Sequence, residues 1–127
     1  MKSNLEKKRL GKLGEDIACA YLEKRGYAIA ARNYTVRGGE IDIVAHDKEH
    51  VVFVEVKCRE NDVFSKARDS VDAKKIAHLV TAAERFLFEK SNDPDFFEKQ
   101  PRFDVIEVYA PKGEAGDIVI KHIENAF

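Results

Sequence analysis

The run Val51-Val52-Phe53-Val54-Glu55-Val56-Lys57 constrains this chain more than any other segment. β-Branched and aromatic residues suit a pleated strand, and residues two apart on a strand share a face. Glu55 and Lys57 therefore project from one side while Val54 and Val56 pack on the other. A carboxylate and an ammonium are forced onto the same side of a strongly hydrophobic strand, and the rest of the fold has to accommodate them.

The segment before it alternates in the same way. Gly38-Gly39 makes a turn ahead of Glu40-Ile41-Asp42-Ile43-Val44-Ala45, and the polar stretch from His46 to His50 separates that run from Val51. The two runs read as an antiparallel hairpin, preceded by a short β-compatible segment from Tyr27 to Asn33. Upstream, Leu10, Leu13, Ile17, Ala18, Tyr21 and Leu22 recur at helical spacing between Glu6 and Arg25, with Gly26 where a helix C-terminal glycine belongs. Downstream, Asn61 to Arg68 reads as a polar loop. Asp72 then caps a second helix whose apolar face is Ile76, Leu79, Val80, Ala83 and Leu87, and Val71 and Ile76 stand where a hydrophobic staple needs them. After a loop from Ser91 to Gln100, strands are expected over Phe103 to Tyr109 and Ile118 to Ile123, joined through Pro111 to Gly116. The strand–helix–strand unit from Val51 to Tyr109 favours parallel pairing. The resulting order, α-β-β-β-α-β-β around one sheet, is an α/β fold.

At 127 residues, 44% hydrophobic and 35% charged, the chain suits one domain with one core. No stretch approaches the roughly 20 apolar residues of a membrane span, and the basic segment Met1 to Lys12 lacks the apolar run of a signal peptide, so a cytoplasmic protein is expected. Cys19 and Cys58 lack CxxC spacing and read as buried or idle thiols, not as a disulfide or a zinc site. A net charge of −1 argues weakly against nucleic-acid binding, but the charge is uneven. Residues 1–37 hold nine Lys/Arg against four Asp/Glu, whereas residues 88–127 hold five against nine. That distribution is compatible with a local basic groove.

Chemistry is concentrated on the hairpin. Glu40 and Asp42 are also two apart, and pairing brings one or the other beside Glu55, with the register left open by the sequence. Two apposed carboxylates repel unless a cation sits between them, and a hard divalent ion such as Mg²⁺ meets that need with oxygen ligands. Such a site suits phosphodiester chemistry, with Lys57 orienting water or neutralising developing charge. From spacing alone, Glu55 and Lys57 read more readily as an ordinary ion pair on a solvated sheet face. Arg32, Arg37, Arg59, Lys66, Arg68, Lys74 and Lys75 are candidate phosphate contacts. Lys75 stands out because a cation in the first turn of a helix is unfavourable without an anion nearby. His46, His50, His78 and His122 show no metal-ligand spacing and are assigned no role.

The ordered set Gly39-Glu40-Ile41-Asp42-Ile43-Val44 and Phe53-Val54-Glu55-Val56-Lys57-Cys58-Arg59 resembles the PD-(D/E)xK nuclease motif, and specifically the YraN-like bacterial family, itself similar to archaeal Holliday-junction resolvases. The likeness extends to Gly11-Lys12-Leu13-Gly14-Glu15 with Ala18 and Leu22, to Arg32-Asn33, to Arg102-Phe103-Asp104-Val105 and to Asn125-Ala126-Phe127. It covers nearly the whole chain. Cys58 stands where the family usually has threonine, and Ser65 where it usually has glycine. The resemblance implies a restriction-endonuclease-like domain over residues 1–127, three-layered, with a central mixed sheet flanked by helices. It implies Asp42, Glu55 and Glu15 as acids holding Mg²⁺ or Mn²⁺, with Lys57 as the catalytic lysine. Lys75, Arg59, Arg37 and Arg32 are the residues expected to meet nucleic acid.

Three functions are then expected in competition. The first is a metal-dependent endonuclease on structured or branched DNA, acting in recombination or repair, as a homodimer because a symmetric junction suits twofold symmetry. The second is a nucleic-acid-binding module that keeps the fold without turnover. The third is a protein-interaction module in DNA processing, insensitive to loss of Asp42 or Lys57 but sensitive to disruption of an apolar patch.

Overall fold

The computed structural model of the chain describes residues 4–59, 72–109 and 117–127. Seven elements follow one another in the expected order: α1 (Asn4–Lys24), β1 (Ala28–Val36), β2 (Gly39–His46), β3 (His50–Arg59), α2 (Ala73–Glu89), β4 (Gln100–Tyr109) and β5 (Val119–Ile123). The sequence-derived loops 61–68 and 111–116, the staple residue Val71, and Ser65, Lys66 and Arg68 lie outside the described residues.

The strands form one sheet in the order β1-β2-β3-β4-β5. β3 and β4 pair in parallel across the α2 crossover, and the other neighbours are antiparallel. The sheet is mixed and the fold is α/β, consistent with the three-layer restriction-endonuclease-like architecture. Each face carries its own core. Val44, Val51, Phe53 and Val105 pack under Leu79, Ala82, Ala83 and Phe86 of α2. Ile43, Ala45, Val52, Val54, Ile106 and Val108 pack under Ala18, Cys19 and Leu22 of α1. Alternation along β3 thus feeds both layers at once, and each large side chain buried this way is worth about 1.5–3 kcal/mol. No helix among the described residues is long and apolar enough to cross a membrane.

Both helices are rotated slightly from the faces read in the sequence. Leu13 is 47% exposed, and the buried stripe of α1 runs through Gly14, Ala18 and Leu22 instead. A Cβ on Gly14 would lie 2.8 Å from the Cβ of Cys58, so only a residue without a side chain lets the helix approach β3 this closely. In α2, Val80 is exposed, and Ala82 and Phe86 take the buried positions. Asp72 does cap α2, accepting a hydrogen bond from the Lys75 backbone N–H at 2.9 Å. Cys19, buried, and Cys58, half-buried, are not joined by a disulfide.

The first hairpin changes face part-way along. Arg32 pairs with Ile43, and Tyr34 with Ile41. Residues two apart on a regular strand share a face, yet Ile43 belongs to the α1 core and Ile41 to the α2 core. On β1, Arg32 likewise reaches Asp16 of α1, while Tyr34 packs with the α2 core. The rollover falls between the two pairs, at Asn33 and Asp42. Asn33 takes a left-handed φ of +49° in mid-strand, a conformation asparagine tolerates better than most residues.

Candidate active site

The β2–β3 ladder settles which acid faces Glu55. Paired residues run from His46↔Val51 to Ile43↔Val54; one step further, Asp42 lies opposite Glu55. Regular pairing stops there, and the Val56 N–H is bonded by the Asp42 side chain at 2.8 Å. Because Asp42 sits at the rollover, its carboxyl is within electrostatic reach of Glu15 on the α1 side as well as Glu55 and Lys75 on the α2 side. Burial, then the hydrogen bond and charge of Glu55, push the Asp42 pKa up to about 8. Glu15 is mostly buried; its pKa is raised by desolvation and then by Asp42, against the opposing pull of Asn33 and Arg32.

Glu55 is 2% exposed, and its Oε2 has no hydrogen bond of acceptable geometry. Two ammonium groups lie near that oxygen, Lys75 Nζ at 3.2 Å and Lys57 Nζ at 3.8 Å. Lys75 also donates to Glu40 Oε1 at 3.1 Å. Burial works against its charge, but the attraction of Glu55 and Glu40 wins and its pKa is raised. Asp42, Glu55, Lys57 and Lys75 lie together, Glu40 joins them through Lys75, and Glu15 reaches the group through Asp42.

The arginines are distributed differently. Arg32 hydrogen-bonds Asp16 at 2.7 Å and lies 3.7 Å from Glu15, so its charge is committed to acids of α1. Arg59 lies 3.6 Å from Glu107. Arg37 lines a depression with Val36, Thr81, Arg85 and Glu89. Those α2 residues follow Lys75 by six or more positions, roughly 9 Å or more along the helix axis. A separate open depression of about 260 Å³ is lined by Lys57, Asp72, Lys74, Lys75 and His78. It is the described concavity that contains the lysine pair.

Two features were not read from the sequence. Glu107, fully buried on β4 in register with Lys57, accepts a short hydrogen bond from the Tyr109 hydroxyl, and its Oε1 is left without a hydrogen bond. Alternation in Phe103-Asp104-Val105-Ile106-Glu107 places Glu107 on the same face as Phe103 and Val105, which was enough to find it. The other is a network around Asp104. Arg102 donates to both Asp104 oxygens, at 2.9 and 2.8 Å, and to the Tyr27 hydroxyl at 2.7 Å. His122 Nε2 lies 2.7 Å from Asp104, and its Nδ1 lies 2.9 Å from the Tyr21 hydroxyl. These partners come from α1, the residue just before β1, β4 and β5, and no local pattern announces them.

The profile described as Uncharacterised protein family UPF0102 matches residues 14–108, from the glycine that seats α1 to the end of β4. The chain belongs to UPF0102. It is 39% identical over 123 residues to the UPF0102 protein TTE1452 of Caldanaerobacter subterraneus, covering 97% of this chain and 98% of the relative. It is 41% identical over 118 residues to the UPF0102 protein FP2501 of Flavobacterium psychrophilum, with 93% and 92% covered. A UPF0102 protein of Pseudomonas aeruginosa is 38% identical over 118 residues, with 92% and 90% covered. UPF0102 membership therefore extends over the elements that carry Glu15, Asp42, Glu55, Lys57 and Lys75.

A divalent cation fits these residues in one respect and meets a limit in another. The apposed Asp42 and Glu55 carboxyls, with a buried oxygen short of a hydrogen bond, have the oxygen chemistry such an ion takes, and Mg²⁺ is commonly held by only one or two carboxylates plus water. Among the described residues, however, no three acid, histidine or cysteine side chains converge as a ready-made cage.

Proposed function

We propose that this UPF0102 protein is a metal-dependent endonuclease of the PD-(D/E)xK type, acting on structured or branched DNA in the manner of a Holliday-junction resolvase. The observation that carries the reading is the apposition of Asp42 and Glu55 at the broken end of the β2–β3 ladder, with Glu55 Oε2 unsatisfied and Lys57 beside it. Asp42 and Glu55 would hold Mg²⁺ or Mn²⁺, with Glu15 as an outer acid near Asp42. The bound ion supplies charge stabilisation at the phosphodiester oxygens and a water of lowered pKa. Lys57, about one-third exposed, would orient an attacking water or offset charge on the departing oxygen. Lys75 and Lys74 line the neighbouring depression and neutralise backbone phosphates, which positions a strand without reading its sequence. Arg59, Arg37 and Arg32 contribute more distant contacts, Arg32 only after release from its acids. A homodimer suits a symmetric four-way junction, and a cytoplasmic location suits such a substrate.

That no third acid, histidine or cysteine joins Asp42 and Glu55 among the described residues favours a second reading, a nucleic-acid-binding module that does not turn over. The deciding experiment is cleavage of labelled linear, flapped and four-way-junction DNA with Mg²⁺, Mn²⁺ or EDTA. Metal-dependent cutting, reduced about 10²–10³-fold in Lys57→Ala and abolished in Asp42→Ala, is the expected result. Junction binding equal in all three folded proteins, without cutting, would replace the nuclease by the module.

A further inference from the structure

Lys75 spans two environments. Its Nζ lies 3.2 Å from the buried, hydrogen-bond-deficient Oε2 of Glu55, and it is hydrogen-bonded to Glu40, whose side chain is 55% exposed. The depression shared with Lys57, Lys74 and His78 opens beside it. A buried, charged carboxylate such as Glu55 needs a counter-charge, and in this structure Lys75 supplies one. A divalent ion on Glu55 Oε2 would compete with the ammonium for that oxygen, since two cations crowded on one oxygen at about 3 Å repel each other strongly. The flexible four-carbon stem of lysine allows the ammonium to move by rotamer change alone.

We infer that Lys75 is an exchangeable resident cation: it neutralises Glu55 in the metal-free protein, yields Glu55 to an incoming divalent ion, and turns into the depression beside Lys57 to hold a substrate phosphate. This rests on the metal-dependent reading above and adds to it a coupling between metal and nucleic acid. Metal entry releases the phosphate-binding lysine, and a phosphate that draws Lys75 outward vacates the metal position. Such coupling is reciprocal by thermodynamic necessity. The site accordingly binds metal weakly alone and more tightly with substrate backbone present.

Titration calorimetry with Mn²⁺, without nucleic acid, tests this on wild type, Lys75→Gln, Lys75→Arg and the exposed control Lys48→Gln. Lys75→Gln should bind Mn²⁺ about tenfold more tightly, within the usual range of couplings, whereas Lys75→Arg and Lys48→Gln should match wild type. The rise in melting temperature on adding Mn²⁺ should be larger for Lys75→Gln than for wild type even if that variant melts lower without metal. In Ca²⁺ against EDTA, affinity for a four-way-junction DNA should improve more for wild type than for Lys75→Gln. Equal or weaker Mn²⁺ binding by Lys75→Gln overturns the exchange. If the four proteins bind Mn²⁺ alike and wild type still cuts DNA, only the exchange falls; if none binds Mn²⁺ either alone or with junction DNA present, the metal-dependent reading falls with it.

Discussion

Asp104 and Asp42 stand on strands of the same sheet, both drawn out of bulk water, and their surroundings are opposite in kind. Asp104 has its lone pairs filled: two hydrogen bonds from Arg102, one from the Asn125 backbone and a contact with His122. Although burial opposes its charge, those partners hold its carboxyl below the ordinary aspartate value. Asp42 faces another carboxylate, receives one backbone hydrogen bond, and is pushed up to about 8. The first cluster stabilises the fold and ties the C-terminal segment to α1. The second is a place where the fold tolerates unmet polar demand, as sites that act on a ligand commonly do. The balance of donors to acceptors separates the two.

The contrast is broken most directly by deletion. Asp104→Ala leaves buried Arg102 with only the Tyr27 hydroxyl and the more distant, exposed Glu124, and should cost about 3–5 kcal/mol in urea denaturation. Asp42→Asn, which removes a like charge, should be neutral or stabilising in metal-free protein at pH 8. Equal losses in the two variants would erase the distinction. A smaller effect concerns the geometry that holds the site: Gly39→Ala places a Cβ about 2.6 Å from the His78 carbonyl oxygen and 2.8 Å from the Ala82 nitrogen, both backbone atoms. We expect a loss of about 1–3 kcal/mol, measured by thermal unfolding, together with weakened metal binding.

Changing pH sharpens the same comparison. Between the ordinary aspartate value of 3.8 and about 8, folded Asp42 keeps a proton that the unfolded chain has lost. Its contribution to stability is therefore full below that window, declines as pH rises through it, and is gone above about 8. Asp104 has the reverse sign: its contribution is present above the unfolded value and is lost as pH falls through the lower folded one. Metal-free denaturation profiles should lose their alkaline decline in Asp42→Asn and keep their acid limb. An unchanged alkaline slope would remove Asp42 as its source. The smallest effect should come from Tyr21→Phe, which deletes the hydroxyl beside His122 Nδ1 and should cost about 1 kcal/mol by denaturant titration.

Much of this was legible in the residues. Period-two alternation in Glu40–Ala45 and Val51–Lys57 gave the hairpin and the shared face of Glu55 and Lys57, because strand geometry leaves a side chain only two directions. Asp72 gave the start of α2 for an equally local reason. The register that selects Asp42 over Glu40 was not legible, since it depends on where the pairing ends. Nor was the rollover at Asn33, which no alternation rule contains. Leu13 and Val80 were assigned to buried faces because they are apolar, yet close seating of α1 on Gly14 and the bulk of Phe86 in α2 set the rotation of each helix. The Asp104 network escaped because Tyr21 and His122 are 101 positions apart. The arginines could be named but not their commitments, because an ion pair such as Arg32 with Asp16 is a property of assembled surfaces.

The close contact between Gly39 and the α2 backbone fixes a common origin for both sides of the site. Gly39 precedes Asp42 by three residues on β2, and His78 follows Lys75 by three on α2, so the aspartate and the lysine are each a short lever arm from the same fulcrum. A displacement of the helix would carry the strand with it and leave the spacing of the two backbones almost unaltered. Adjustment is thereby confined to the far end of one lever, the aliphatic stem of Lys75, while the carboxylates it meets stay anchored to the frame.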